Sequence, residues 1–576
     1  MRIFSRVCWG AAAAFCALPA LGMKPKPPAK PPVKAVTRAL ARTERQRVEQ
    51  LEQVRQALVR LHQDEVRLQA LESSLSAQPA ASNETAATKA TSPAAPVRAA
   101  AQPRRGASPG PRTSLSDSGI STLKKEVEHP DALRYKGITI TPGGFLEAAT
   151  VWRSAATGGD INTPFTGIPL DYSEGGNISE FHASARQSRL VLKAEGKLQN
   201  VVMTGYYEMD WLGTGITSNN NQSNSYVARV RQLFARAAFH SGWSISAGQM
   251  WSLATETTHG LDNLSEILPG TIDPQYTAGF VWARQYGFRI TKDINHQVWL
   301  GVSLENPQTL VGGTVPSNNE TLGEPGNGGG LFNPAANYSF NVAPDMIAKL
   351  AVEPGWGHWE LFGIGRFFRN RIYPNAASKS SAGAYNSTVM GGGIGGGFRV
   401  PLATRKISFG LKGLWGDGVG RYGDSAIADV TLRPDGTIAP LHAFSALSTL
   451  EFFPTKRWYI YLNYGGDYVD RNIQGADGYG LLTANMSGCN TEALPGGPYA
   501  ATGTGPCAGN TRDVQEFSSG FWYNFYQGSK GIFRYGIQYS HFVRNLWSGA
   551  GGPLNPGGGA MGADNGVWTS VRYILP

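Results

Sequence analysis

Segments of about ten residues that alternate between apolar and polar side chains recur along most of this sequence. In residues 189–195, Leu190, Leu192 and Ala194 share one side of an extended chain, and the charged residues share the other. The same alternation returns at 203–211, 298–305, 407–415 and 533–540. One face of such a strand suits lipid and the other suits water. The pattern therefore predicts an all-β fold, an antiparallel transmembrane β-barrel.

The number and spacing of these segments predict about sixteen strands. Short turns such as Ser241-Gly242 alternate with long stretches rich in Gly, Asn, Thr and Pro, such as 253–283 and 471–513. An even number of strands can close into a barrel, and sixteen would enclose an aqueous channel. The predicted strands lie near 143–152, 186–196, 201–212, 227–240, 243–252, 284–292, 296–306, 344–353, 357–369, 388–400, 405–416, 441–452, 457–470, 514–526, 531–544 and 566–575.

The first residues resemble an export signal. Arg2 and Arg6 precede an apolar run at 7–18, and the small residues at 20–22 suit signal cleavage. A membrane anchor is the alternative, but this run is too short to cross a hydrocarbon layer of ~30 Å as a helix. No later stretch offers the ~18 uninterrupted apolar residues of a spanning helix. We therefore expect residues 1–22 to be a signal peptide and any membrane crossing to use strands.

The segment that follows predicts an N-terminal coiled-coil helix and a linker. Residues 23–75 begin with a spacer rich in Pro and Lys, followed by apolar residues at alternating spacings of three and four, interrupted by Glu65. A single amphipathic helix packed on another element is the alternative. Residues 76–112 have almost no large apolar side chain, and we expect a disordered linker over 76–130 and the barrel over 131–576. The spaced apolar residues are Leu51, Val54, Leu58, Leu61, Leu68 and Leu75.

The distribution of charge argues against a nucleic-acid partner. The chain carries a formal net charge of +10, but residues 1–112 hold 18 Lys or Arg against 7 Asp or Glu. The remaining residues hold 34 basic and 35 acidic side chains. The basic excess therefore belongs to the N-terminal segment.

The cysteines predict one disulfide. Cys8 and Cys16 fall in the predicted signal peptide, whereas Cys489 and Cys507 are 18 residues apart in a Gly-rich stretch. In an exported protein these two thiols are expected to pair and to pin a long loop. Metal binding by two isolated thiols is a weak alternative. We expect no metal and no cofactor.

Strand parity identifies charged side chains that face the interior and line the predicted channel. Basic groups converging on one wall would favour anions. Alternatively, these groups pair with acidic neighbours to satisfy a polar interior. The predicted basic lining residues are Arg189, Lys193, Arg236, Arg289, Lys349, Arg366, Lys412 and Arg534, and the acidic ones are Glu208, Asp210, Glu305 and Glu360. The connection 307–343 is a candidate constriction by its length.

Tryptophans recur near the segment ends, where their rings are expected to form girdles at the membrane interfaces. The residues at these positions are Trp152, Trp211, Trp251, Trp282, Trp415, Trp458, Trp547 and Trp568.

Several of these segments resemble the early strands of DcaP-type trimeric porins. The resemblance rests on 186–190, 205–210, 231–237, 248–252, 283–289 and 344–350. It implies a sixteen-stranded homotrimer in the bacterial outer membrane, with a periplasmic N-terminal coiled coil and uptake of small anions such as dicarboxylates. Its partners would be outer-membrane lipid, further copies of the chain and small anionic solutes. The chain departs from many barrels in ending with Tyr573 followed by three residues, and the loops carrying Cys489 and Cys507 do not align.

Two other functional classes were weighed. A barrel hydrolase would need a catalytic constellation, but the nine histidines show neither a serine-elbow motif nor metal-ligand spacing. An anchoring protein would use the basic N-terminal segment to hold the cell wall or a partner. The sequence favours a channel that is not an enzyme.

Overall fold

The computed structural model describes residues 133–213, 226–316, 320–321, 323–324, 338–402, 406–492, 506–551 and 559–576. The predicted signal peptide, spacer, coiled coil and linker lie outside the described residues. Helices in the described ranges are short 3-10 turns, and none is long and apolar enough to cross a membrane.

Within this part of the chain, sixteen long strands form one sheet, and each overlaps a predicted strand. The strands are β1 Ile138–Arg153, β2 Arg189–Leu198, β3 Val201–Gly213, β4 Val227–Phe239, β5 Trp243–Trp251, β6 Arg284–Asp293, β7 Val298–Glu305, β8 Asp345–Val352, β9 His358–Ile372, β10 Tyr385–Leu402, β11 Ile407–Asp417, β12 His442–Thr455, β13 Trp458–Val469, β14 Thr511–Gly528, β15 Gly531–Leu546 and β16 Met561–Ile574.

The sheet closes on itself. Every long strand pairs antiparallel with its neighbours in the chain, and β16 returns to pair with β1, where Phe145 lies opposite Ile574. A short strand, Glu180–Ser184, pairs with the last part of β1 before β2 begins. The predicted sixteen-stranded antiparallel barrel is confirmed. Closure leaves no unpaired sheet edge, so the backbone polar groups of the wall are satisfied within the sheet.

The alternation in the sequence becomes the outer and inner faces of this wall. Leu190 and Leu192 of β2 are exposed on the outside, as are Leu300, Val302 and Leu304 of β7. Their neighbours in the chain face the interior and are largely buried. This arrangement gives the barrel a wide apolar outer belt, as strand parity predicts.

The length of the connections between strands distinguishes the two ends of the barrel. Turns such as those joining β4 to β5 and β8 to β9 are short and define one end, here named the turn end. Long connections leave from the opposite end, here named the loop end. One of these connections carries the disulfide between Cys489 and Cys507, whose Cα atoms are 4.6 Å apart. Cys489 packs with Met486, Leu546 and Ala560.

Three long connections fold into the barrel and build an apolar core there. Leu253 and Leu261 of the connection 252–283 pack among inward side chains of the wall such as Phe362. The connection between β1 and β2 adds Ile161 and Phe165 to a second cluster, and the connection between β11 and β12 contributes to the first. The interior is therefore packed on several sides. Strand parity alone predicts only its wall.

Candidate functional site

The connection 252–283, here named the inward loop, runs along the inside of the barrel. It leaves β5 at the loop end, and its Gly260 N–H donates to Glu353 in the turn between β8 and β9, 2.7 Å away. It then returns to the loop end, where β6 begins at Arg284. A segment that crosses the interior in both directions narrows the passage. In the connection 307–343, the constriction predicted from length, residues 317–319, 322 and 325–337 lie outside the described residues.

Charged side chains of β6 to β9 hold the descending half of this loop by its backbone. Glu305 accepts the Leu253 N–H at 2.8 Å. Lys349 donates to the Thr255 carbonyl at 2.7 Å. Arg289 donates to the carbonyl of Trp251, where the loop begins. These three predicted lining residues thus bind the loop, because an extended segment inside a barrel needs partners for its backbone polar groups.

Glu360 lies at the centre of a buried ionic cluster. It lies 2.8 Å from Lys349 and 2.9 Å from Lys412, and all three side chains are almost fully buried. Its carboxylate also accepts the Thr257 N–H at 2.8 Å. Two ammonium groups and one loop amide therefore share a single buried carboxylate, which fixes the loop to β8, β9 and β11 together.

The returning half of the loop is held by acidic and amide side chains of β13 to β15. Glu516 accepts the Ala278 N–H at 2.9 Å, and Asp467 accepts the Gly279 N–H at 3.1 Å. Gln538 accepts the Asp273 N–H at 3.1 Å. The wall thus binds both halves of the loop through its charged and polar side chains.

A second connection, 418–441, is fastened in the same way by Arg366. Its guanidinium lies 3.1 Å from Asp345 of β8 and 2.6 Å from Asp429 of this connection. Burial of the three side chains makes the contact a strong tether.

A cluster of arginines lies on β2 to β4. Arg189 lies 3.2 Å from Glu208, and Arg231 lies 2.7 Å from Glu208 and 2.8 Å from Asp210. Arg229 pairs with Asp210 at 2.7 Å and keeps a partly exposed side chain. Three guanidiniums therefore contact the same two carboxylates.

Arg284, the first residue of β6, adds a fourth guanidinium. It stacks on Trp251 and Trp282, with 4.8 Å and 5.3 Å to the ring centroids. In the described ranges it has no carboxylate within ion-pair distance and donates no hydrogen bond to the protein, and its Nη1 is buried. Two aromatic faces hold this cation in place, and the residue stays partly exposed beside them.

The carboxyl of Asp424 contacts one of the two rings that hold this cation. Asp424 accepts the Trp282 Nε1–H at 2.6 Å and lies in the connection 418–441. Burial, together with nearby Asp467, raises the pKa of Asp424 well above its usual range. The raised pKa favours the neutral form of Asp424, which reduces the negative charge near Arg284.

The other predicted lining residues lie apart from this cluster. Lys193 pairs with Glu195 at 2.7 Å, and both are partly exposed. Arg236 lies 2.7 Å from Asp262 of the inward loop. Arg534 stacks on Trp522 at 4.0 Å. The predicted residues are thus distributed around the wall.

Sequence reasoning missed Arg229, Arg231 and Arg284. A β-bulge explains two of them, because the pairing of β3 with β4 shifts between Glu208 and Met209 and leaves Arg231 and Gln232 facing inward together. A bulge breaks the simple alternation on which the prediction relied. The arginines at 229 and 231 themselves indicate a polar environment, but the prediction relied on the alternation and did not take them into account.

Comparison with known proteins supports the fold. Neither a family model nor a curated protein matches the sequence. The crystal structure of the outer membrane channel DcaP of Acinetobacter baumannii matches with a TM-score of 0.52 and 14% identity, covering 77% of this chain and 99% of that one. The chain has the fold of DcaP. OmpT of Vibrio cholerae and the anion-selective porin from Comamonas acidovorans match with TM-scores of 0.40 and 9% and 10% identity, covering 77% and 76% of this chain and all of theirs.

The resemblance to DcaP-type porins noted in the early strands is confirmed by this shared fold. In the DcaP-like barrel, Trp415 and Trp458 are exposed on the outer face, as expected of a girdle. Trp251 and Trp568 are instead buried, and the Trp568 Nε1–H donates to the Ile161 carbonyl. Their girdle assignment was wrong, because the connections that fold inward give these rings an internal packing surface.

The described residues of the DcaP-like barrel contain no group of three His, Cys, Asp or Glu side chains arranged to hold a metal ion. The chemistry that its interior offers is the binding of charged and polar groups by fixed cations and amides.

Proposed function

We propose that the chain forms a channel in the bacterial outer membrane through which small anionic solutes diffuse. The closed barrel with an apolar outer belt supports a membrane-spanning protein. A channel of this kind needs no catalytic group, because its lining charges decide which ions enter.

The single observation that carries the anion preference is the environment of Arg284. It is a fixed cation without a carboxylate partner in the described part of the chain, and it lies near Arg229 and Arg231. An anion that reaches this cluster meets available N–H donors in a partly desolvated setting. A cation meets repulsion at the same place.

Among the lining residues predicted from sequence, several are buried in contacts with the inward loop. We propose that Arg289, Lys349 and Lys412 act on selectivity through the loop that they position. Lys193, Arg236 and the partly exposed Arg229 act directly on passing ions. The cluster formed by Arg189, Arg229, Arg231 and Arg284 is the proposed site of anion preference.

The test is the reversal potential of purified protein in planar bilayers under a salt gradient. Arg284→Gln is expected to reduce the anion preference, and Arg284→Gln with Arg229→Gln to reduce it further. Arg371→Gln is the matched control, because Arg371 is also an arginine near a strand end but contacts Asn386 away from the cluster. Unchanged selectivity in the double variant would overturn the assignment to this site, and absence of conductance would overturn the channel.

Further features are part of the same proposal. Residues 1–22 direct export, and the segment 23–75 forms a periplasmic coiled coil that stabilises a homotrimer of barrels. Dicarboxylates fit the arginine cluster, since two carboxylates can each pair with a guanidinium. Chemical cross-linking of the full chain and of a form lacking residues 23–75 would measure the contribution of the coil to trimer formation.

A further inference from the structure

A groove of about 610 Å³ lies on the outer face of the barrel, across β12 to β14 near the loop end. Its shape follows from three neighbouring residue pairs of β12 and β13. Ala446 lies opposite Gly466, and this pair of small residues is flanked by Phe444 opposite Tyr468 and by Ser448 opposite Tyr464. Small side chains between aromatic ones leave a notch in the surface.

The notch faces away from the interior. Phe444 and Tyr464 are exposed on the outer face, with relative exposures of 45% and 57%. In the proposed function this face meets the hydrocarbon of the membrane. Because lipid chains and apolar side chains are equally apolar, the notch can favour a chain only through close packing.

Two arginines lie at the loop end of the groove and supply a polar contact. Arg471 stacks on Trp547 at 4.6 Å from the ring centroid, and Arg512 lies 5.7 Å from the same centroid. Arg471 also donates to the Ser548 carbonyl at 2.8 Å. Tryptophan rings of this kind are typical of the depth at which lipid head groups begin.

The acidic side chain that contacts Arg512 already has other hydrogen-bond partners. Asp513 lies 2.7 Å from Arg512, and it also accepts hydrogen bonds from Gln515 at 2.9 Å and Asn545 at 2.8 Å. Burial, together with the positive charge of Arg512, lowers the pKa of Arg471. Two like charges this close would be stabilised by an anion between them, and a phosphate matches the donor geometry of guanidinium groups.

We propose that this groove binds a phosphorylated lipid of the outer leaflet, with an acyl chain in the notch between Phe444 and Tyr464 and a phosphate at Arg471 and Arg512. The inference rests on the proposed membrane-spanning function. Outer-membrane barrels have short periplasmic turns and longer extracellular loops, so the loop end would lie at the outer leaflet. A second copy of the barrel is the competing occupant. It would contribute side chains to the notch but no phosphate.

The experiment measures binding of lipid A to the detergent-solubilised full chain by native mass spectrometry. Arg471→Gln with Arg512→Gln is expected to weaken binding about tenfold or more, because two charge-assisted contacts are lost. Ala446→Ile, which fills the notch, is expected to weaken it as well. Lipid A without phosphates is expected to bind as weakly to the native chain as lipid A binds to the double variant.

A matched control comes from another part of the barrel wall. Ala348 of β8 also lies opposite a glycine, Gly363, on the outer face, and in the described residues no pair of arginines around a tryptophan ring lies beside it. Ala348→Ile is expected to leave lipid A binding unchanged. Equal binding by the arginine double variant, or an equal loss in Ala348→Ile, would overturn the proposal.

Further measurements distinguish a bound lipid from free phosphate or a second copy of the chain, and failure of the lipid site from failure of the channel. Competition of inorganic phosphate with lipid A at comparable concentration would show a free-phosphate site and would overturn the lipid assignment. A cross-link between copies of an Ala446→Cys variant would overturn it as well. Conductance is recorded on the same preparations. In the arginine double variant, loss of lipid binding with intact conductance would support the lipid site. A native chain that binds lipid but does not conduct would contradict the proposed channel and not the lipid site.

Discussion

The Glu353 carboxylate holds His259 at the turn end of the barrel, with 2.7 Å between Oε2 and the histidine Nδ1. Its other oxygen accepts the Gly260 N–H and lies 3.0 Å from Nδ1 of His358. One carboxylate in the turn between β8 and β9 thus fastens the tip of the inward loop. This contact is the point where the loop reaches the far end of the interior.

The contact between Glu353 and His259 is expected to depend on pH. Burial raises the pKa of Glu353, but hydrogen bonds from the two histidines and Gly260 outweigh this effect and lower the pKa to about 2. The hydrogen bond with Glu353 raises the pKa of His259. The carboxylate contribution is present above about pH 4.5 and is lost as the pH falls towards 2. The histidine contribution is present below about pH 6.5 and is lost as the pH rises through its raised pKa. We expect the loop tip to be held most firmly between these limits.

Hydrogen exchange of residues 253–262 checks this expectation. At pH 6 this segment should exchange more slowly in the native chain than in His259→Gln, and the difference should disappear at pH 8.5. In the variant the segment should exchange quickly at both pH values. His296→Gln is the control, because His296 pairs instead with Asp293 at 2.5 Å and is exposed on the turn between β6 and β7. Protection that is identical in the native chain and His259→Gln at pH 6 would contradict the role of this pair.

Glu360→Gln is expected to destabilise the protein strongly. The change leaves the buried ammonium groups of Lys349 and Lys412 without their carboxylate, a loss of about 3–5 kcal/mol in the free energy of unfolding. Glu195→Gln breaks the partly exposed pair with Lys193 and should cost under about 1 kcal/mol. Urea unfolding in detergent, followed by tryptophan fluorescence, compares them. Equal effects would mean that burial does not strengthen the Glu360 contacts.

Gly395 on the inner face of β10 is expected to tolerate no side chain. A Cβ there would meet the ring of Phe362, so Gly395→Ala should cost about 1–3 kcal/mol through overpacking. Gly365 of the neighbouring strand β9 has nothing within 4 Å of such an atom, so Gly365→Ala should be nearly neutral. The same urea unfolding measurement distinguishes them. A neutral Gly395→Ala would show that the Phe362 ring moves freely.

Reduction of the disulfide between Cys489 and Cys507 is expected to loosen its connection and leave ion selectivity unchanged. Closing a loop with this separation of 18 residues stabilises it by about 3 kcal/mol. Proteolysis with and without reductant reports the loosening, and the reversal potential reports selectivity. The double variant Cys489→Ser with Cys507→Ser should not respond to reductant. A shift in reversal potential on reduction would instead place this connection in the ion path.

The wall of the barrel was predictable because strand parity is a local property. Leu190 and Leu192 face outward and Arg189 faces inward for one reason, the period of two in an extended chain. The alternation of short turns with long connections then determined which strands are neighbours. Parity failed where the β-bulge at Arg231 changed the period.

The contents of the barrel could not be predicted in this way. The sequence marks 252–283 as a long connection, but nothing local shows that Leu253 lies against Glu305 or that Gly260 reaches Glu353, since these contacts join residues about fifty and ninety positions apart. Such pairings depend on the closed wall. Parity identified Lys349 as an inward cation, and only the packed loop determined that it binds the Thr255 carbonyl.

The sequence by itself determined the all-β class, the strand positions and the outer face, because apolar side chains at every second position are stable only with one side away from water. The tertiary structure decided which inward charged side chains form hydrogen bonds with the loop backbone and which remain available. Arg284 illustrates the difference. Its parity along β6 is that of the exposed Tyr286 and Phe288 and opposite to that of the anchor Arg289, so the alternation did not select it. Two tryptophan rings from different segments hold it without a carboxylate partner in the described residues, because only folding brings Trp251 and Trp282 to its two sides.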